Sequence, residues 1–482
     1  MKIIIILVFS LIHSMAFAQT GFSENLKNVY QELWEMRLES SKFYLKNEKN
    51  ASSSQIYLEN LAQVFEILAT GDPKLYATYQ ENEDQRLKKI KKMDKNNPYF
   101  LLSQAEILVQ GAFVHLLFAE QYQAANHLRK SYDLLEKNIK LYPDFAENQK
   151  IFAGLQIMLQ AVPSQYHWLI GLFGLKGNYE KAWENLEKIS ESQSLYALET
   201  QLFSVLLQLY VLQNPQKAVD ICEKYLKNSD NRLANFVKAL VNFKNLEFEK
   251  ALFFLNKIEE NSSYQSFFYV NYLKAECHLL SENYLAAIKE YAIFLENYAG
   301  NPYKKDAVYK TFLAYIMLGD SKNSLIYLQK IQKTGAELSI PDRYAEKFAN
   351  YKPLPHFILM KVRLLTDGGK FAKAIHFLDQ YSEKDFDLLR DKIEFHYRKA
   401  RAFHEGGQVE KAIDFYEKTI ALNQKKAYYF AANSCLQLGK IYEKIDLKKA
   451  INYYEKVLEY DDHEYKNTLD GQTKMALKRL EK

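Results

Sequence analysis

The chain has 482 residues, 48% of them hydrophobic, 14% aromatic and 26% charged, with a formal net charge of +5. Such a chain can bury a large core and solvate it, and a charge this small and evenly spread leaves no electrostatic footprint for nucleic acid. Only 16 Gly and 9 Pro exclude a turn-rich all-β architecture in favour of long helices, and three distant cysteines, Cys222, Cys277 and Cys435, exclude a disulfide framework.

Met1-Lys2, an apolar run over 3–11 and Ala16-Phe17-Ala18 before Gln19 have the basic start, short apolar stretch and small-x-small site of a secretory signal peptide (1–18). Ser10, His13 and Ser14 interrupt the run, which falls short of the ~20 residues a membrane span needs. Cleavage near Ala18-Gln19 is expected to leave a mature chain, without a transmembrane span, in a periplasmic or extracellular compartment.

Residues 19–97 read as an N-terminal helical region: Leu26, Val29, Tyr30 and Leu33 keep a helical period, as do Ile56, Leu61, Val64, Phe65 and Leu68. Gly71-Asp72-Pro73 stops one helix and starts the next, since Asp caps and Pro suits a first turn. Lys88, Lys89, Lys91 and Lys92 form a solvated face, and Asn96-Asn97-Pro98 marks a boundary. Residues 98–177 open with a long helix pair, 100–118 and 122–141, followed by the most glycine-dense part of the mature chain. There Pro163 must break a helix, Gly171 and Gly174 share a face that allows close helix packing, and Gly177-Asn178 turns. A phosphate loop is the functional alternative, but no strand precedes the segment and no Gly-Lys-Ser/Thr follows, which favours close helix packing over phosphate binding.

From residue 178 the chain repeats. A small residue opens each second helix, at Ala182, Ala218, Ala251, Ala287, Ser324, Ala374, Ala412 and Ala450, with spacings of 36, 33, 36, 37, 50, 38 and 38. Four residues on comes the side chain facing the same gap: Leu186, Cys222, Leu255, Tyr291, Leu328, Leu378, Tyr416 or Tyr454. Cys222 thus stands in a packing slot, as a small hydrophobe rather than a reactive thiol. The pattern is clearest around Ala400, Phe403, Gly406-Gly407, Ala412 and Tyr416, and recurs at Leu438-Gly439, Tyr442, Ala450 and Tyr454. Small and aromatic residues at these spacings resemble the tetratricopeptide repeat, about 34 residues long. The resemblance implies an all-α, right-handed superhelical solenoid of helical hairpins, in which each unit buries its face on its neighbours. Its parts are repeats over 178–333, an insertion at 334–355 that accounts for the 50-residue step, C-terminal repeats over 356–463 and a capping helix over 464–482. The proline-containing insertion is expected to be a protruding or re-routed connection, cleaved faster by limited proteolysis than any hairpin.

Two stretches carry a narrower resemblance: 154–186, with Phe173-Gly174 and Gly177-Asn178, and Ser339-Ile340-Pro341-Asp342-Arg343-Tyr344-Ala345-Glu346-Lys347-Phe348 with Leu354-Pro355 behind it. Together they resemble the inclusion-body clearance and tetratricopeptide repeat protein 39 family. That family implies a helical-repeat adaptor linked to inclusion clearance and lipid metabolism, without an agreed catalytic activity, although its members are intracellular and this chain opens with a leader.

His404-Glu405 and His463-Glu464 lack the second histidine that would place two imidazoles on one helix face, and no nucleophile elbow or dinucleotide fingerprint occurs. No catalytic residue, metal ligand or cofactor is expected, and the chain does not read as an enzyme. The candidate surface is instead the residue following the small residue of each first helix: Arg363 after Val362, Arg401 after Ala400 and Lys440 after Gly439. Stacked, they form a basic ladder, with Tyr397 and His404 a turn to either side, suited to an acidic peptide or a C-terminal carboxylate. Alternatively, nearby acids such as Glu394, Glu405 and Glu443 pair with the cations and merely solubilise the groove. The function expected is a non-catalytic, extracytoplasmic scaffold gripping a protein or peptide. A carrier for a small apolar or glycan ligand, using the glycine-dense segment as its pocket, is the alternative.

Overall fold

The computed structural model describes residues 22–48, 51–161, 178–258, 263–423, 426–463 and 465–480. The leader expected at 1–18 and Pro163, Gly171, Gly174 and Gly177 lie outside them. Among the described residues there are 24 α-helices and no strand.

The first four are α1 (Glu24–Trp34), α2 (Leu38–Lys46), α3 (Ser53–Thr70) and α4 (Pro73–Ile90). Gly71 ends α3 in the left-handed conformation at φ 63°, and the Asp72 carboxylate accepts from Lys74 N to open α4 with Pro73 in its first turn. Next come α5 (Pro98–Leu117) and α6 (Gln121–Leu141), where Asn97 and Pro98 start α5 by the same device. By length and composition α5 is apolar enough to cross a membrane, but 83% of its apolar window is buried inside the protein, so it is a core helix.

The following helices are α7 (Asn148–Ala161), α8 (Tyr179–Glu191), α9 (Ala197–Leu206), α10 (Pro215–Tyr225), α11 (Arg232–Lys244), α12 (Phe248–Asn256), α13 (Tyr269–Leu280), α14 (Tyr284–Asn297), α15 (Lys304–Met317) and α16 (Ser321–Ile331). After α17 (Ile340–Asn350) come α18 (Phe357–Asp367), α19 (Phe371–Leu378), α20 (Leu389–Glu405), α21 (Val409–Asn423), α22 (Tyr429–Tyr442), α23 (Leu447–Leu458) and α24 (Lys466–Leu480). From α5 to α16, and again from α18 to α23, consecutive helices pair as hairpins that stack on one another, and α24 packs on α22 and α23 as a cap. The chain is an all-α solenoid.

The repeat register is visible in the packing. Ala182, Ala218, Ala251, Ala287, Ser324, Ala374, Ala412 and Ala450 are all buried, and so are their partners four residues on, apart from the half-buried Leu328. All three cysteines are free and buried, and burial pushes the Cys222 thiol up to about 11. Cys222 therefore packs as the hydrophobe its slot implies.

Two features go beyond the sequence reading. The insertion at 334–355 is re-routed rather than protruding: it folds into α17, which packs on α15 and α16 and buries Ala345 and Phe348 completely. Asp342 is the weld, because its buried carboxylate accepts from Ser339 Oγ (2.6 Å), Tyr303 N (2.8 Å), Asp306 N (3.1 Å) and Ser339 N (3.2 Å). Secondly, residues 22–97 do not stand apart, since one core joins Phe22, Leu26 and Leu61 to Tyr99, Leu135 and Tyr196. These first helices lie across the early hairpins. Gln265 N donates to Met36 O (2.7 Å), Asn231 Nδ2 to Trp34 O (3.0 Å) and Gly300 N to Thr70 O (3.0 Å). Beneath them Lys150 is buried between Glu106 and Glu199, 2.8 Å from each.

Candidate protein-interaction groove

The sequence on α18, α20 and α22 alternates a residue that must be small with one free to point away. Val362 and Ala400 are fully buried, and a Cβ at Gly439 would lie 2.5 Å from the Tyr454 ring. The side chains that follow, Arg363 and Arg401, keep 27% of their surface exposed. They face a cavity of about 230 Å³ bounded by α17, α18, α20, α22 and the start of α24.

A third guanidinium, that of Arg398, joins them in its lining. Arg398 stands three residues before Arg401, hence on the same helix face. Burial opposes its charge, but the Tyr429 and Glu394 side chains overcome that, and its Nε and Nη2 both donate to Glu394 Oε1 at 3.0 and 2.7 Å. Aromatic rings form the walls: Arg363 lies over Tyr344 (4.2 Å to the ring centroid), and Tyr429 packs edge-on against both Tyr397 (5.6 Å) and Tyr465 (5.3 Å). Tyr397 is only 1% exposed, and its hydroxyl accepts from Asn433 Nδ2 at 2.6 Å, so it is a rigid wall rather than a mobile contact.

Each arginine has a carboxylate of its own helix one turn away: Arg363 with Asp367 (3.5 Å), Arg401 with Glu405 (3.2 Å) and Arg398 with Glu394. Of these acids only Asp367 lines the cavity, so the groove presents cations with their counter-charges behind them. Arg363 Nη1 is buried with no hydrogen-bond partner among the described residues. A second cavity of about 460 Å³ shares Tyr344, Tyr465 and Thr468 and extends the surface past Arg343, Lys347 and Lys466.

Two of the five expected residues lie elsewhere. Lys440 is exposed outside the cavity, and its Nζ donates to Gln472 Oε1 of the cap at 3.3 Å. Partial desolvation among its neighbours and the positive charge of Arg401 push its ammonium below the ordinary value. His404 turns toward the gap inside its own hairpin, with Nδ1 3.2 Å from the Tyr416 hydroxyl. Glu405 pairs with Arg401 as the solubilising alternative anticipates, but Glu394 pairs with Arg398 and Glu443 with Arg479, neither of them a cation of the expected ladder. Arg398 does not follow a small residue, so the repeat register alone does not mark it; its i, i+3 spacing to Arg401 is the signal in the sequence. Tyr344 and Tyr465 come from the insertion and from the loop before the cap, where no repeat position announces them.

Residues 359–440, from α18 to α22, match the family model of the tetratricopeptide repeat. These hairpins are tetratricopeptide repeats. The match contains Arg363, Tyr397, Arg398 and Arg401, so the groove is built largely on the tetratricopeptide surface. Among solved structures the chain is similar to the tetratricopeptide repeat domain of P58(IPK), with 16% identity over 88% of this chain and 99% of that one and a TM-score of 0.21. It is also similar to the yeast Tom70, with 14% identity over 89% of this chain and 97% of that one and a TM-score of 0.23. A monomeric mutant of IFIT1 with Gppp-AAAA gives 14% identity over 95% and 86% of the respective chains and a TM-score of 0.27. No curated protein matches the chain. Tetratricopeptide repeats form scaffolds for protein interaction, with the stacked hairpins supplying an extended binding surface.

Proposed function

We propose that this protein is a non-catalytic, extracytoplasmic scaffold that captures a partner through an acidic segment or C-terminal carboxylate in the groove between α17 and α24. One observation carries this reading: three guanidiniums from two successive first helices enter one cavity whose lining includes a single carboxylate, Asp367. Carboxylates suit such a site because arginine forms paired, charge-assisted hydrogen bonds with them, and Arg363 Nη1 is a buried donor left to be satisfied. The tyrosine walls favour a peptide over a bare anion, since rigid rings add contact area at little entropic cost. The extracytoplasmic placement rests on the leader pattern at 1–18.

A fluorescent peptide ending in Asp-Asp-Glu, titrated as free acid and as C-terminal amide, tests the chemistry. The free acid should bind more tightly than the amide and weaken between 50 and 500 mM salt, while a lysine-rich peptide should not bind. Equal affinity for all three peptides would refute the carboxylate reading. The intact mass of exported protein, beginning at Gln19 or at Met1, decides the leader.

A further inference from the structure

Far from the groove, three helices bring together side chains that no motif links. Glu83 of α4, His115 in the last turn of α5 and His127 of α6 each offer one ligand atom, all within 4.8 Å of one another. His127 Nε2 lies 3.0 Å and His115 Nε2 3.9 Å from Glu83 Oε2, and the two imidazoles meet edge to face at 4.7 Å. The three groups are largely shielded from solvent: Glu83 is 6% exposed, His115 1%, and the His127 side chain 14%.

We propose that Glu83, His115 and His127 form a binding site for a divalent transition-metal ion, Zn2+ foremost, that clips α4 to the α5–α6 hairpin. Hydrogen-bond accounting supports this. The outer nitrogen of His127, Nδ1, lies 3.0 Å from the Gln123 carbonyl, which only accepts, so Nδ1 carries a proton and Nε2 is the nitrogen turned to the Glu83 carboxylate, where either a proton or a metal ion can bridge the pair. Two such acceptors at 3.0 Å need a cation or proton to hold them. His115 Nδ1 lies 3.0 Å from the Tyr76 hydroxyl, which leaves Nε2 buried and without a partner on the inner side.

The carboxylate is held as a ligand would be. Tyr79 donates to Glu83 Oε1 at 3.0 Å, leaving Oε2 toward the imidazoles. Gly111, one turn before His115 on α5, makes the room: a Cβ there would lie 1.9 Å from Glu83 Oε1. Two imidazoles with outer nitrogens fixed by a hydroxyl and a carbonyl, plus one oriented carboxylate, are a donor set for zinc or a similar borderline ion. Bonds of about 2.0–2.1 Å place ligand atoms roughly 3.4 Å apart, so ordinary side-chain rotation closes the site.

The test uses the full chain without a histidine tag, stripped with chelator. Competition against a chromophoric chelator should show one equivalent of Zn2+ bound, and Zn2+ but neither Mg2+ nor Ca2+ should raise the melting temperature. His127→Gln and Glu83→Gln should each weaken Zn2+ roughly tenfold or more, Tyr76→Phe by about tenfold through loss of the outer hydrogen bond, and exposed His376→Gln not at all. Co2+ added to the unsubstituted chain should develop the intense visible bands of a tetrahedral site made by the two imidazoles, the carboxylate and one water, a readout independent of how the variants fold. Absence of stoichiometric Zn2+ binding, Co2+ bands no stronger than those of the hydrated ion, or undiminished affinity in both folded variants overturns the proposal.

Discussion

Gly439 and Tyr454 share one interhelix gap, and the ring fills the space a side chain at 439 would need. Gly439→Leu, like Ala450→Trp in the same hairpin, is expected to destabilise the fold by ~1–3 kcal/mol or more through overpacking, read as a lower denaturation midpoint at unchanged slope. Such positions were legible in the sequence because a helical period confines small residues to one stripe. Lys150 was not. Its partners Glu106 and Glu199 come from helices α5 and α9, and only the fold brings them within 2.8 Å. Lys150→Met would leave two buried carboxylates without their cation, a loss of ~3–5 kcal/mol at neutral pH. Burial already holds the Glu106 carboxyl above the usual carboxylate range, against the pull of Lys150. An acid raised in this way stabilises the fold below its unfolded value and loses that contribution as pH rises through the folded one. The gap between Lys150→Met and the unsubstituted chain should therefore be wider at pH 8 than at pH 5 in parallel urea melts. A gap that narrows as pH rises would contradict this placement of charge.

At the scale of elements, α17 shows where pattern reading stops. The 50-residue step and the prolines correctly marked an interruption of the repeat, and Ser339 three residues before Asp342 is a capping box legible in the sequence. That Asp342 also reaches the Tyr303 and Asp306 amides at the start of α15 was not legible, because those donors lie 39 and 36 residues away. Asp342→Ala should cost about 1–3 kcal/mol by leaving these buried amides unpaired. It should also make residues 334–355 the first site of limited proteolysis, whereas in the unsubstituted chain that segment should resist as well as its neighbours. Early cleavage between Ile340 and Asn350 in the unsubstituted chain would show that α17 is not held. The metal-ligand triad is illegible in the sequence for a related reason: Glu83, His115 and His127 sit on three separate helices, so no local spacing links them.

Across the whole molecule the two ends differ in what covers the stacked hairpins. The early ones are overlaid by the chain's own first helices, through the contacts of Met36, Trp34 and Thr70. The later ones keep an open groove walled by tyrosines and edged by Arg363, Arg398 and Arg401. The solenoid and the basic character of its first helices were legible from repeat spacing; the overlay was not, since it joins segments some 200 residues apart that share no repeat position. Separating the groove's charge from its architecture tests the central claim. Arg398 must stay, because removing it would strand the buried Glu394. Arg363→Ser with Arg401→Ser removes only half-exposed cations whose own acids, Asp367 and Glu405, remain partly solvated. The deciding measurement is the anisotropy titration of the Asp-Asp-Glu free-acid peptide against this double variant at 50 mM salt. The account predicts affinity at least tenfold weaker, with helicity and melting temperature nearly unchanged. Undiminished affinity in a folded double variant would contradict it.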